Sequence, residues 1–151
     1  MPNQKPEVAG AENQVIIRMM NLFTIEVNGD VHEELMTKSR KGISLVQYLI
    51  LERGRPVSSQ RLIRELWSDR RSENPESALK TMVSRMRAAL NSISPNLGSC
   101  IISGQGNYRW ESIEGVRVDV LEIIDLINTL RQEPPHPGHM KRTEAMMELY
   151  R

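Results

Sequence analysis

The sequence predicts an α+β fold: a winged helix-turn-helix preceded by an N-terminal antiparallel sheet and followed by a helical hairpin. Three observations predict it. β-Branched runs flank an "NGD" turn near the N-terminus. Two amphipathic helices joined by a polar connection then lead into two short β-prone runs around a Gly-containing turn. Beyond residue 118, apolar residues recur at helical spacing on both sides of a Pro-rich loop.

Residues 1–14, "MPNQKPEVAGAENQ", carry no periodic apolar pattern and read as a flexible tail. "VIIRMMNLFTIEV", the "NGD" turn and a returning "VHEELM" predict a small antiparallel sheet over residues 15–36. A helix is expected over 38–53, with Ile43, Val46, Gln47, Ile50 and Leu51 on its buried face and Gly54 as its C-terminal cap. "RPV" is held extended by its proline. Ser58 or Ser59 can cap the short helix "SQRLIRELW", whose Leu62, Ile63, Leu66 and Trp67 belong in the core.

After the polar connection "SDRRSE" comes "NPESALKTMVSRMRAAL", residues 74–90. Asn74 suits the N-cap, Pro75 the first helical position, and Glu76 the positive end of the helix dipole. At roughly 100° per residue, Leu79, Met82, Val83, Met86 and Leu90 form one apolar stripe. The opposite face has a small, neutral centre of Ser77, Thr81, Ser84 and Ala88, edged by Lys80 and Arg87 on one side and Arg85 on the other. "SPNLGS" breaks the chain, and "CIISGQGNYRW" reads as a β-hairpin with a basic arm. "VDVLEIIDLINTL" is a helix with a broad apolar surface of Val120, Leu121, Ile123, Ile124, Ile127 and Leu130. "RQEPPHPGH" is a loop, and "MKRTEAMMELYR" a second amphipathic helix. A hairpin this apolar needs cover, so homodimerisation is expected unless it folds back on the winged helix.

Composition narrows the function classes. With 39% apolar and 26% charged residues, the chain is an ordinary globular protein. No apolar run approaches the ~18 residues of a membrane span, and the polar N-terminus is no signal peptide. The single Cys100 forms no internal disulfide, so the cytoplasm is the expected compartment. The net charge of +1 conceals a segregation: residues 38–109 hold 13 Lys+Arg against 5 Asp+Glu, and the rest hold 7 against 14. A basic middle between acidic segments points to an anionic partner, against the alternative of chance clustering on a solvated surface.

"RPVSSQRLIRELW", "ALKTMVSRMRAAL" and "IISGQGNYRW", in this order and spacing, resemble the OmpR/PhoB-type winged-helix DNA-binding domain, in particular that of the Streptomyces antibiotic regulatory protein (SARP) type of activators. Val83-Ser84-Arg85-Met86-Arg87 with Trp67 and Tyr108-Arg109 carries most of the resemblance, which spans residues 15–151. It implies a DNA-binding domain over 15–112. It also implies the start of a tetratricopeptide-like bacterial transcriptional activation domain over 113–151, with one helix pair where stacked repeats need about three to stand alone. The chain departs from the pattern at Asn107, where the family usually has Gly and where Asn tolerates positive φ. A second departure is Gly104, where many relatives place an Arg.

The resemblance implies double-stranded DNA as partner. The major groove, about 12 Å wide, admits a helix whose floor-facing residues are small. Ser77, Thr81, Ser84 and Arg85 are the expected DNA-facing residues, with Lys80 and Arg87 at the flanks and Arg109 reaching from the wing. Asn74 and the amides it caps are placed to meet a phosphate. An intramolecular bond accounts for Arg87 equally well, and Trp67 and Tyr108 read as core. In this family the loop holding "SDRRSE" is associated with partners such as RNA polymerase; a solvated turn explains its arginines equally well. Metal binding and catalysis find no support. His136 and His139 have no Cys or clustered carboxylate beside them, "GQG" opens no helix, and no Ser/His/Asp or Cys/His set falls on supporting elements, so no cofactor and no enzyme activity are expected. The competing expectation is a winged-helix protein-interaction or dimerisation module without specific DNA binding.

Overall fold

The computed structural model describes residues 14–35, 39–67, 74–132 and 148. The described strands form two sheets. The first contains β1 (Val15–Arg18), β2 (Thr24–Val27), β3 (Asp30–His32) and, from far along the chain, β7 (Val116–Val118), in the order β3-β2-β1-β7. The β2–β3 turn is the "NG" pair, with Asn28 at φ 51 and Gly29 at φ 93. Two consecutive positive φ values match the right-handed twist of the flanking strands, which is why this dipeptide closes hairpins so well. The returning strand ends at His32, and Glu34 and Leu35 are already helical. The expected strand "VHEELM" is therefore cut short.

Helix α1 (Arg40–Leu51) is capped by Ser39, whose side chain accepts from the Gly42 amide. Its buried residues are Gly42, Ile43, Leu45, Val46, Leu49 and Ile50, while Leu51 is 50% exposed. The expected buried face is corrected here by most of a residue's turn. The helix packs at once against the later segments Ser59–Leu66, Pro75–Ile93, Asn107–Trp110 and Asp119–Gln132, so its buried arc is centred near Val46 and Leu51 lies on the far side. Arg53 and Gly54 then leave the helix through positive φ, as the Gly54 cap requires.

"RPV" contributes more than an extended link: Val57–Ser58 forms strand β4 of the second sheet, which pairs with a central strand at Asn107–Trp110, itself paired with Ile101–Ser103. Helix α2 (Ser59–Leu66) is capped by Ser58, which accepts from the Arg61 amide. Helix α3 (Pro75–Ile93) buries Leu79, Val83, Met86 and Leu90, the expected stripe, with Met82 half-buried beside them. Each such side chain contributes about 1.5–3 kcal/mol by leaving water. The wing is β5 (Ile101–Ser103) and β6 (Asn107–Trp110), with Tyr108 buried as expected and Trp110 buried as well.

Strand pairing and a buried carboxylate bind the start of the next helix to the other described elements. Strand β7 runs parallel to β1, pairing Ile17 with Val118, so Val118 is a strand residue and α4 is Asp119–Gln132. Asp119 is 1% exposed and accepts hydrogen bonds from the amides of Met19 at 3.0 and 3.1 Å and Met20 at 3.3 Å. A buried carboxylate is tolerated because those donors satisfy it. Val120 and Leu121 pack on the core, whereas Ile127 and Leu130 are exposed. The tail before residue 14, "SDRRSE", the loop with His136 and His139, and all of the second predicted helix except Glu148 lie outside the described residues.

Candidate nucleic-acid interface

Helix α3 projects its outer face from the body on three supports: α1 and α2 behind it, and the single helical turn Leu97–Cys100 against its C-terminal half. The approach of that turn is very close. A Cβ on Gly98 would stand 2.4 Å from the Arg87 carbonyl oxygen and 2.9 Å from its carbonyl carbon, so only glycine fits. Asn91 completes the joint by accepting from the Gly98 amide at 2.8 Å. Gly42 likewise sits where a Cβ would meet Met86 Sδ at 2.3 Å.

The structure brings most of the expected residues together. Ser77, Lys80, Thr81, Ser84, Arg85 and Ala88 are all exposed on α3. Among the described residues, Lys80 and Arg85 enter no ion pair, unlike Arg18, Arg55, Arg61, Arg109 and Arg117. Their charge is available to an external anion. Asn74 is exposed and accepts from the Ser77 amide at 3.2 Å, which occupies that donor internally.

Troughs flank α3 on both sides. On one side, a cleft of about 430 Å³ lies between α3 and the wing, lined by Lys80, Arg87, Ser103 and Asn107 among others. On the other, a recess of about 380 Å³ is bordered by Ser39, Trp67, Asn74, Thr81 and Arg85. Lys41 Nζ sits 5.1 Å from the Trp67 ring centroid, adding a cation near that recess.

Arg87 and Arg109 are held differently. The Arg87 guanidinium donates to the Ile101 carbonyl from Nε at 3.1 Å and from Nη2 at 2.8 Å, and Nη2 also reaches Ser103 Oγ at 2.7 Å. The intramolecular role is thus realised: Arg87 ties α3 to the root of the wing. Arg109 lies on β6 and donates to Glu111 Oε1 at 2.5 Å, so its charge is partly neutralised. Asn107 does not carry the positive φ that its place in the wing allowed. That conformation falls on Gly106, at φ 72, and Asn107 is an ordinary strand residue.

Sequence reasoning passed over three contributors to the wing cleft. Ser59 was considered only as a cap, yet its amide donates to the Gly106 carbonyl at 2.9 Å and fastens the wing turn to α2. Ser103 and Glu76 also line the cleft. Glu76 was legible as a dipole partner alone, because its approach to the wing depends on tertiary packing. No described helix is long and apolar enough to cross a membrane.

Residues 32–106, just under half of the chain, match the family model described as "Transcriptional regulatory protein, C terminal". No curated protein matches the chain. Among solved structures, the chain is similar in fold to Mycobacterium tuberculosis EmbR, determined in complex with a low-affinity phosphopeptide. The TM-score is 0.62 at 15% sequence identity, covering 92% of this chain and 35% of that one. The chain therefore spans about a third of the length of that structure's chain. The matched segment runs from the end of β3 to the turn of the wing, and the fold shared with that structure is a mixed α+β winged helix.

Proposed function

We propose that this protein is a sequence-specific double-stranded DNA-binding regulator, an activator of the SARP type acting in the cytoplasm. Helix α3 would lie in the major groove and the wing on the sugar–phosphate backbone or minor groove. The observation that carries this reading is the outer face of α3: small residues Ser77, Thr81, Ser84 and Ala88 along its crest, with Lys80 and Arg85 at its edges, which enter no ion pair among the described residues. Small side chains let a helix approach the groove floor, and Ser and Thr hydrogen-bond to several base edges. Cations at the edges replace the counterions of phosphates.

In this reading, residues 15–112 are the DNA-binding domain, and 113–151 begin a helical activation domain rooted in the N-terminal sheet through β7. RNA polymerase is the proposed target of activation. The test is selection from a random duplex library at roughly 150 mM salt, where nonspecific phosphate binding is suppressed. Enrichment of one motif, repeated at about a helical turn, is the expected result. Failure of folded protein to enrich any motif would count against a DNA reader. It would favour the second reading, a self-association or protein-interaction module, which the exposed Ile127 and Leu130 of α4 support.

A further inference from the structure

We infer that the wing holds the DNA backbone with main-chain amides at its tip and reads no base edge, so that sequence discrimination rests on α3 alone. The inference depends on the DNA-binding reading above and specifies how one part of that surface works.

Four observations at the tip carry it. First, the wing offers no cation there: no Lys or Arg occurs from Ala88 to Tyr108. Arg109 is three residues from Gly106, about 10 Å along an extended strand, and is engaged by Glu111. Second, Gly104 cannot be replaced by a side chain that reaches outward without moving its neighbour. A Cβ there would stand 2.4 Å from Asn107 Oδ1. Third, the turn is fixed from three directions. The Gly104 amide donates to the Asn107 carbonyl at 2.8 Å, the Asn107 side chain donates to the Gln105 carbonyl at 3.3 Å, and the Ser59 amide donates to the Gly106 carbonyl at 2.9 Å. Fourth, the carbonyls of Gln105 and Gly106 are thereby occupied, while the amides of these two exposed residues donate to no acceptor among the described residues.

A turn held by three hydrogen bonds, with its carbonyls occupied and two N–H groups without an acceptor among the described residues, suits an anion. Its oxygen acceptors are phosphates, which repeat along DNA whatever the sequence. Minor-groove readers instead use Arg, Lys, Asn or Gln along the groove and frequently insert apolar wedges between base steps, and of these the tip has only Gln105, whose replacement is part of the test below. Here the tip offers one neutral side chain, Gln105, flanked by glycines. Its position over the cleft shared with Lys80 places the tip beside the strand that α3 would straddle.

The experiment uses the full chain and a duplex obtained by selection. Adenines are replaced one at a time by 2,6-diaminopurine, which adds a minor-groove amino group and leaves the major-groove edge in place. In parallel, phosphates are neutralised one at a time as methylphosphonates. The expected pattern is a loss of about tenfold at one or two phosphates outside the α3 footprint, the scale of a charge-assisted hydrogen bond. Diaminopurine at the same positions should change affinity by less than about twofold, as should Gln105→Ala, because neither touches a phosphate contact. A tenfold loss with diaminopurine or with Gln105→Ala would overturn the inference in favour of base reading. Absence of any sensitive phosphate outside the α3 footprint would overturn it by showing that the wing does not touch DNA. If selection yields no specific duplex, the DNA-reading proposal itself fails and this inference with it.

Discussion

The Arg87 guanidinium on α3 holds the Ile101 carbonyl at the start of the wing through two hydrogen bonds, at 3.1 and 2.8 Å. The residue that edges the outer face of the helix therefore also ties the helix to the wing. Arg87→Ala should lower unfolding free energy by about 1–3 kcal/mol, since a charge-assisted donor is lost from a part-buried carbonyl. Arg87→Lys should recover only part of this, because an ammonium cannot reproduce the planar fork. Urea unfolding midpoints of the two variants check the order; wild-type stability in Arg87→Ala would remove the tie from the account.

Lys80 and Arg85 should behave in the opposite way. Both are exposed and without ion pairs among the described residues, so replacing either by Ala should leave stability within about 0.5 kcal/mol. In DNA titrations, each replacement should flatten the slope of log affinity against log salt by about 0.9 if the side chain meets a phosphate. Anisotropy titrations at several salt concentrations measure this. An unchanged slope in both variants would argue against the proposed docking.

Two glycines distinguish a hard contact from a soft one. Gly98→Ala would press a methyl group against the Arg87 backbone at 2.4 Å. Neither main chain can yield cheaply, and a loss of about 2–3 kcal/mol is expected, the upper range for overpacking. Gly42→Ala meets side-chain atoms of Met86 and Ser39 instead of main chain, and the gain of about 1 kcal/mol in helix propensity opposes the clash. Thermal unfolding should rank Gly98→Ala well below Gly42→Ala. The reverse order would show that α1 and α3 cross more rigidly than described.

Asp119 joins α4 to the end of β1 through the amides of Met19 and Met20. Asp119→Ala should cost about 1–3 kcal/mol, because two amides lose a charged acceptor inside the protein. Hydrogen exchange should speed up at Met19 and along β7 while α3 stays protected. Uniform exchange across the chain would mean that α4 is no separate cooperative unit.

Cys100 is fully buried, and burial pushes its thiol above the ordinary value of 9.0. The folded state therefore prefers the neutral thiol. The stability it gains is complete below pH 9.0 and is lost as pH rises through the higher folded value. Native protein should react with a thiol reagent only as fast as it opens, and urea should expose the group. Rapid labelling of folded protein would contradict the burial.

Local chemistry determined a good part of this molecule. Asn28-Gly29 could close a hairpin, Asn74-Pro75 could open a helix, and the spacing of Leu79, Val83, Met86 and Leu90 left one face of α3 free for small and basic residues. Each is a short-range signal, read within a turn or two of chain, and the structure repeats them. Tertiary structure decided the rest. The strand at Val116–Val118 pairs with Val15–Ile17, some hundred residues away, and three residues of "VRV" carry no signal for that partner. Which arc of α1 is buried depended on four neighbours arriving together, and Leu51 lost its place in the core for that reason. Arg87 could equally have met a phosphate until the Ile101 carbonyl was brought within 3 Å of its Nη2. Periodicity fixes which side chains share a face; only packing fixes what that face meets, because burial is a property of the assembled surfaces and not of the chain segment.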